Sequence, residues 1–515
     1  MSTGTSELRY WIDAALECNR RDHTPTYGPG DQKGPFLSAR ALGMAMAALQ
    51  CAYEGNGDAA IYKVAVDPAY GNGDPKVRAA AACHQVLCRR YPNQTGLLYP
   101  LWDTWVRLFK DGTAGGGEDE GRMIGDLVND HINVIDVNGT PTEISDGKIA
   151  DGKVPTGMEP PKDFRPPYMS TGLFDHDAPS ITPKQGFAGH VWGLAEPLKA
   201  KRVCLAPPPG RTGAGPDRFD GMNAHYQMDL EYVLEYGGFH DGGRTGKQEV
   251  TGIFWGYDGP PELGTPPRLY MQVALSVLDR IHAGRELPAG EDDSLVTSIE
   301  LKTIAAIAIA MADAGIDAWH YKYLPTHMLW RPALGIPHGK KLGWLPLGRP
   351  DTNGTGVGLT PDFPSYPSGH ATFGAAAFQV LRLALVHQGD AIFCEGGEDN
   401  VRFTFTSDEY DGRNRDPRTG GPRPTIARTY NSLWKAIVDN SISRVFLGVH
   451  WQFDGITVKG TEPITTKGEF GEPKKPKDLG EIGGVWLGME IGDQIAAMIG
   501  VPQGIIDASR GIVPS

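Results

Sequence analysis

The sequence predicts a mainly α fold, a helical bundle carrying long Gly- and Pro-rich loops. Two observations predict it. Segments with apolar residues at helical spacing recur along the chain, while strand patterns are sparse and no internal repeat is found. Glycine and proline number 68 and 41 in 515 residues, roughly a fifth of the chain against about an eighth in average usage, so much of the surface must be irregular.

Taken in order, Ser38 offers an N-cap ahead of good helix formers and a closing Gly55, which reads as a buried helix. Further helical segments run from Lys76 to Phe109. Between Asp111 and Asp220 the periodicity breaks down into turn-rich strings such as GTAGGGEDEGR and PTGMEPPKDFRPPYM, which predicts an excursion over the surface. Helical spacing resumes at Thr265, an N-cap candidate followed by two prolines suited to a first helical turn. Ser298 to Tyr323, Ser368 to His387 and Thr429 to Leu447 are further helices, the second with Phe378, Leu381 and Leu385 on one face. A charged Gly/Pro-rich stretch, Val458 to Gly484, precedes a last helix from Val485 to Ile499. The expected organisation is an N-terminal helical region (1–110), a loop-rich excursion (111–264) and a helical bundle carrying the site (265–515), together one structural domain.

Composition narrows the function classes. A net charge of −13 and a pI near 5.6 argue against nonspecific binding of nucleic acid, so any anion site must be local. The longest purely apolar run, Ile304 to Ala312, is too short for a membrane span, and the first ten residues lack a basic region and an apolar core. A soluble, cytoplasmic chain is expected, with export by another route left open. Six scattered cysteines, with Cys83 and Cys88 off zinc-ligand spacing, read as free buried thiols.

Three strings carry chemistry. In FPSYPSGHATFG (Phe363 to Gly374), Ser368 caps a helix whose first N–H groups and dipole favour an anion, with Gly369 and His370 at its start. In SRVFLGVHWQFD (Ser443 to Asp454), His450 and Asp454 are four apart, so the carboxylate can hold Nδ1–H and leave Nε2 as a ligand or nucleophile, while Arg444 supplies a guanidinium fork. In WHYKYLPTHMLWRP (Trp319 to Pro332), Lys322 and Arg331 flank the end of a long helix. Alone, each string also fits a capped helix, a surface histidine or basic residues on a rim. Their joint occurrence, in order, is what a buried tetrahedral oxyanion requires.

That order resembles the signature of vanadium-dependent haloperoxidases, whose superfamily includes type 2 phosphatidic acid phosphatases and bacterial class A acid phosphatases. The motif similarity spans Asp313 to Gly455, and the helix at Ser38 also looks like the N-terminal region of bacterial and algal haloperoxidases. The resemblance implies the helical-bundle fold of that family and a vanadate cofactor bonded to His450 Nε2, with Asp454 orienting the imidazole. It implies that Lys322, Arg331 and Arg444 offset the oxyanion charge, that Ser368 and the Gly369 N–H hydrogen-bond its oxygens, and that His370 is the acid/base. Its substrates would be hydrogen peroxide, halide and a small organic acceptor, with no nucleic acid or membrane partner and a homodimer as one open assembly.

One departure stands out: eight residues separate Lys322 from Arg331, where the family pattern has six or seven. On a continuous helix nine steps would put the two on opposite sides. Pro325 is expected to end the helix and absorb the extra residues, with Lys340 or Lys341 as the substitute. Trp319 and Phe363 look like the halide pocket of the fungal chloroperoxidase, which implies oxidation of chloride as well as bromide. Two rivals remain at this stage, an acid phosphatase with His450 as nucleophile and a noncatalytic oxyanion-binding protein.

Overall fold

The computed structural model describes residues 6–55, 60–64, 73–112, 116–133, 198–210, 223–240, 242–284, 298–324, 326–327, 329–339, 343–358, 360–361, 363–460 and 472–512. Helices α1 (Glu7–Asp22), α2 (Pro35–Tyr53), α3 (Pro75–Arg90), α4 (Thr95–Phe109) and α5 (Glu118–Asn133) precede α6 (Ala224–Tyr236), α7 (Gly246–Phe254) and α8 (Pro266–Ala283). The long α9 (Ser298–Tyr323), the short α10 (Pro332–Gly339) and α11 (Gly369–Gln388) follow. An antiparallel hairpin, β1 (Phe403–Asp411) with β2 (Thr425–Tyr430), stands before α12 (Leu433–Phe446), α13 (Gln452–Gly455), α14 (Gly483–Met498) and α15 (Gln503–Ser509).

The core is built around α11. Its sequence is apolar on every side, so a single face against solvent is not an option, and every residue from Gly369 to Leu385 is buried. By length and composition α11 is apolar enough to cross a bilayer, but here it is the core helix of the bundle, packed on α14 and α9. The α11–α14 contact depends on small residues: a Cβ on Gly488 would sit 2.3 Å from the Thr372 carbonyl oxygen. Helix α9 packs in turn on α2, where a Cβ on Gly43 would lie 2.8 Å from Ala312 Cβ.

Polar anchors fix α12 against α11. Asp399, fully buried, accepts from Leu433 N (2.8 Å) and Trp434 N (3.0 Å) at the start of α12, and from Arg382 Nε (2.8 Å) on α11. Ser432 adds the N-cap bond to Lys435 N. At its other end α11 stops at Gly389, whose φ of +83° is the left-handed turn that ends a helix at glycine. These contacts set the position of His370 on α11 relative to Arg444 on α12.

A stretch without regular secondary structure, residues 198–206, lies along α9. Asp313 accepts the N–H groups of Leu198, Lys199 (3.0 Å) and Ala200 (2.8 Å), and Asp317 accepts Val203 N (3.1 Å) and Arg202 Nη1 (2.9 Å). Tyr366 donates to the Ala206 carbonyl at 2.6 Å, so the same stretch braces the loop ahead of α11.

Several expected boundaries move. The helix assigned to start at Ser38 begins at Pro35, because Gly34 and Pro35 already turn the chain; the Ser38 hydroxyl instead bonds Gly34 O (2.7 Å) and meets the Thr265 hydroxyl (2.6 Å). Thr429 and Tyr430 belong to β2, and the helix begins at Leu433. The segment 111–264 carries α5, α6 and α7 and is not a plain excursion; α5 buries Ile124 and Val128 and packs on α3, an amphipathic pattern hidden among its glycines and acids. Residues 134–197, 211–222 and 461–471, which make up much of the remaining expected loops, lie outside the described residues. Among the thiols, Cys18, Cys51 and Cys83 are buried as expected, whereas Cys204 and Cys394 are exposed.

Candidate active site

The three strings meet at the N-terminal end of α11. Ser368 caps that helix, and its own N–H donates to the Asp454 carbonyl at 2.7 Å, which holds the Pro-Ser-Gly-His turn against α13. His450 sits in the turn before α13 and not on a shared helical face with Asp454. The pairing expected from their spacing still forms, with Nδ1 2.9 Å from Asp454 Oδ2. The same oxygen accepts Trp451 N–H at 3.0 Å, so Oδ2 is an acceptor and Nδ1 carries the proton. The lone pair of His450 is therefore on Nε2, which lies 3.0 Å from Arg331 Nη1.

Burial lowers the pKa of His450 well below the ordinary histidine value, and the Arg331 and Lys322 charges lower it further, so the ring is neutral and Nε2 is available. Burial holds the Asp454 carboxyl up at about 7, against the Ser365 hydroxyl and the Lys322 and Arg331 charges. Arg331 enters just ahead of α10. Its Nε donates to Phe363 O (2.9 Å), its Nη1 to Val449 O (2.8 Å), and its guanidinium lies 5.0 Å from the Phe363 ring centre.

Lys322 is fully buried in the last turn of α9. Its ammonium donates to the carbonyls of Pro364 (2.9 Å), Ser365 (3.0 Å) and Pro367, three acceptors for three N–H groups. Burial and then Arg331 pull its pKa well below the ordinary lysine value. Helix α9 ends at Tyr323, so Lys322 and Arg331 do not share a continuous helix and are not held on opposite sides of one. Pro325, Lys340 and Lys341 lie outside the described residues.

Arg444, 1% exposed, gives both ends of its guanidinium fork to Asp258, at 3.0 and 2.7 Å. Sequence reasoning missed Asp258. It lies in WGYDGPPEL, which looks like an ordinary turn, and no helical spacing links it to the other site residues. Tyr257 and Glu262 in this turn have φ +48° and +70°; for the bulky Tyr257 that left-handed conformation is costly, and surrounding bonds hold it. Its N–H donates to Glu409 Oε1 (3.3 Å) and its hydroxyl to Gln272 Oε1 (3.1 Å), while it accepts Asp408 N–H (2.9 Å). The preceding Gly256 carbonyl accepts His370 Nε2–H at 2.7 Å. That bond leaves Nδ1 as the basic nitrogen of His370. Burial and the Arg444 charge push His370 down to about 3, so it is neutral too.

Trp319 and Phe363 form the apolar wall, their ring centres 4.8 Å apart, with Lys322 Nζ 5.6 and 5.1 Å from them. Trp319 also touches the helix start: a Cβ on Gly369 would come within 3.2 Å of its ring. All the sequence-predicted site residues thus gather in one cluster, buried except for the half-buried Phe363. Three basic side chains, Lys322, Arg331 and Arg444, share it with two carboxylates, Asp258 and Asp454. The buried Nε of Arg444 makes no hydrogen bond among the described residues. A basic excess in a buried site, with an unmet donor and a helix N-terminus, fits an oxyanion.

The chain is similar in sequence and fold to several known proteins. Residues 302–460 match the family model of the VCPO second helical-bundle domain. The chain is 29% identical, over 572 aligned positions, to the vanadium chloroperoxidase of Curvularia inaequalis, with 95% of this chain and 89% of that protein covered. Its fold is similar to that of a bacterial vanadium-dependent iodoperoxidase crystal structure (TM-score 0.57, 17% identity, 97% of this chain and 98% of that one). It is also similar to holo-type bacterial vanadium-dependent chloroperoxidase (TM-score 0.55, 14% identity, 94% and 95% covered).

Proposed function

We propose that this chain is a vanadate-dependent haloperoxidase, a reading supported by its similarity to the vanadium haloperoxidase family. It uses hydrogen peroxide to oxidise bromide and chloride to hypohalous acid, or an equivalent donor that halogenates a small organic acceptor. One observation carries the reading: a neutral His450, its tautomer fixed by Asp454, aims Nε2 into a cluster of Lys322, Arg331 and Arg444 at the start of α11.

The donor set fits orthovanadate. His450 Nε2 would hold it, Asp454 orients the imidazole, and Lys322, Arg331 and Arg444 offset its charge, with the Ser368 hydroxyl and the Gly369 N–H as hydrogen-bond donors. When bound, this group supplies a Lewis acid that activates peroxide toward halide. His370, neutral with Nδ1 as its basic nitrogen, takes and returns the peroxide proton. Trp319 and Phe363 exclude water from the halide, which supports chloride as a substrate besides bromide.

The test is vanadate retention together with halogenation of a dimedone-type acceptor, using hydrogen peroxide and each halide in turn. Wild-type protein should do both, and His450→Ala neither. A His450→Ala protein that binds vanadate normally and halogenates at the wild-type rate refutes the ligand assignment. Phosphate-ester hydrolysis without peroxide-dependent halogenation, at any vanadate level, would favour the phosphatase reading.

A further inference from the structure

Ser365 sits inside the Phe363 to Gly374 string and has no part in the chemistry proposed for the site. It is fully buried, and each of its hydrogen-bonding groups reaches a different part of the site. Its N–H donates to the Leu329 carbonyl at 2.9 Å, two residues before Arg331. Its carbonyl accepts from Lys322 at 3.0 Å. Its hydroxyl donates to Asp454 Oδ2 and lies 3.4 Å from His450 Nδ1. One residue therefore links all three strings.

The direction of these bonds follows from the donor inventory. Asp454 Oδ2 already accepts from Trp451 N–H (3.0 Å) and His450 Nδ1–H (2.9 Å), so the serine hydrogen also points to it. The serine lone pairs are left facing Nδ1–H. Asp454 Oδ1 is buried and makes no hydrogen bond among the described residues, so the carboxylate is held through Oδ2 alone. With the hydroxyl removed, the carboxylate is freer to turn, and His450 loses one constraint on its ring orientation.

We propose that Ser365 is a positioning residue for the vanadate ligand: its hydroxyl locks Asp454, and through it His450, while its backbone ties that pair to Lys322 and the arginine segment. The inference rests on the assignment of His450 made above. It extends that assignment to a residue touching neither peroxide nor halide.

Orthovanadate binding to the cofactor-free full-length protein, read as Kd and not as activity, is the test. Ser365→Ala should weaken binding about tenfold, the low end of losses from residues that orient a ligand, since Asp454 itself is kept. Ser365→Cys, similar in volume with only a weak S–H donor, should lose a comparable factor and guards against misfolding of the alanine variant. The decisive comparison is a double-mutant cycle with Asp454→Ala. If Ser365 acts through Asp454, Ser365→Ala should change Kd by less than about twofold in that background, whereas a general packing defect would add its full loss. Wild-type affinity in both single Ser365 variants, or independent multiplication of the two losses, overturns the proposal. A wild-type protein that binds no vanadate would instead sink the functional reading beneath it.

Discussion

Asp229→Asn is a sharp test of the electrostatics around the ligand turn. Asp229, on α6 and 2% exposed, accepts the N–H of Phe453 at 2.7 Å and so caps α13, the turn that carries Asp454. Burial pushes its carboxyl up to about 8, against the Phe453 bond and with Asp454 adding to the rise. Below the ordinary carboxyl pKa near 3.8, folded and unfolded chains are both protonated and the group costs nothing. Between that value and about 8 the unfolded chain ionises while the folded one stays protonated, so stability falls as pH rises. The slope is about 1.4 kcal/mol per pH unit, with a total of at most about 6 kcal/mol. Asparagine keeps an acceptor for Phe453 N–H and cannot ionise. Urea unfolding of wild type and Asp229→Asn between about pH 4.5 and 9 should therefore give stabilities that diverge in favour of the variant up to about pH 8 and run parallel above it. Curves that stay parallel throughout would refute the raised pKa and the reasoning built on it.

Three further outcomes follow from the site. His370→Ala should keep vanadate affinity and lose on the order of 10²- to 10⁴-fold in halogenation rate, measured with saturating vanadate; loss of binding and activity together would contradict its proton-transfer role. Asp258→Ala leaves a buried guanidinium unpaired and should destabilise the cofactor-free protein by about 3 to 5 kcal/mol. Orthovanadate at about 100 times its Kd should return about 2.7 kcal/mol, visible as a shift in the urea midpoint. Phe363→His places a polar ring in the apolar wall and should reduce chloride turnover more than bromide turnover in steady-state rates at matched pH, while a wild type inert to chloride at every pH would end that idea.

Much of the site was legible because its residues come in short strings whose internal spacing is itself the chemistry. Pro-Ser-Gly-His is a helix start, and a histidine four residues before an aspartate is an imidazole paired with a carboxylate. The fold class was legible for a similar reason: α9 and α11 are long, apolar and helix-forming throughout, and α9 was delimited residue for residue. Boundaries failed where tertiary contacts chose between local options. Ser38 is a good cap by type, but Gly34 and Pro35 turn the chain first, and its hydroxyl serves Thr265 instead. Helix α5 was lost among glycines because its stability comes from packing on α3 rather than from propensity.

The sequence by itself determined that a helical chain would carry a histidine four residues before an aspartate, three basic side chains and a helix start at Ser368 in short strings, since those are properties of residue type and local spacing. Only the tertiary structure decided how these groups are held. Asp258 reaches Arg444 across 186 positions of chain and Ser365 reaches Asp454 across 89. No local pattern encodes such contacts. They exist because burial leaves each charge and each polar hydrogen to find its partner within the fold, wherever in the chain that partner lies.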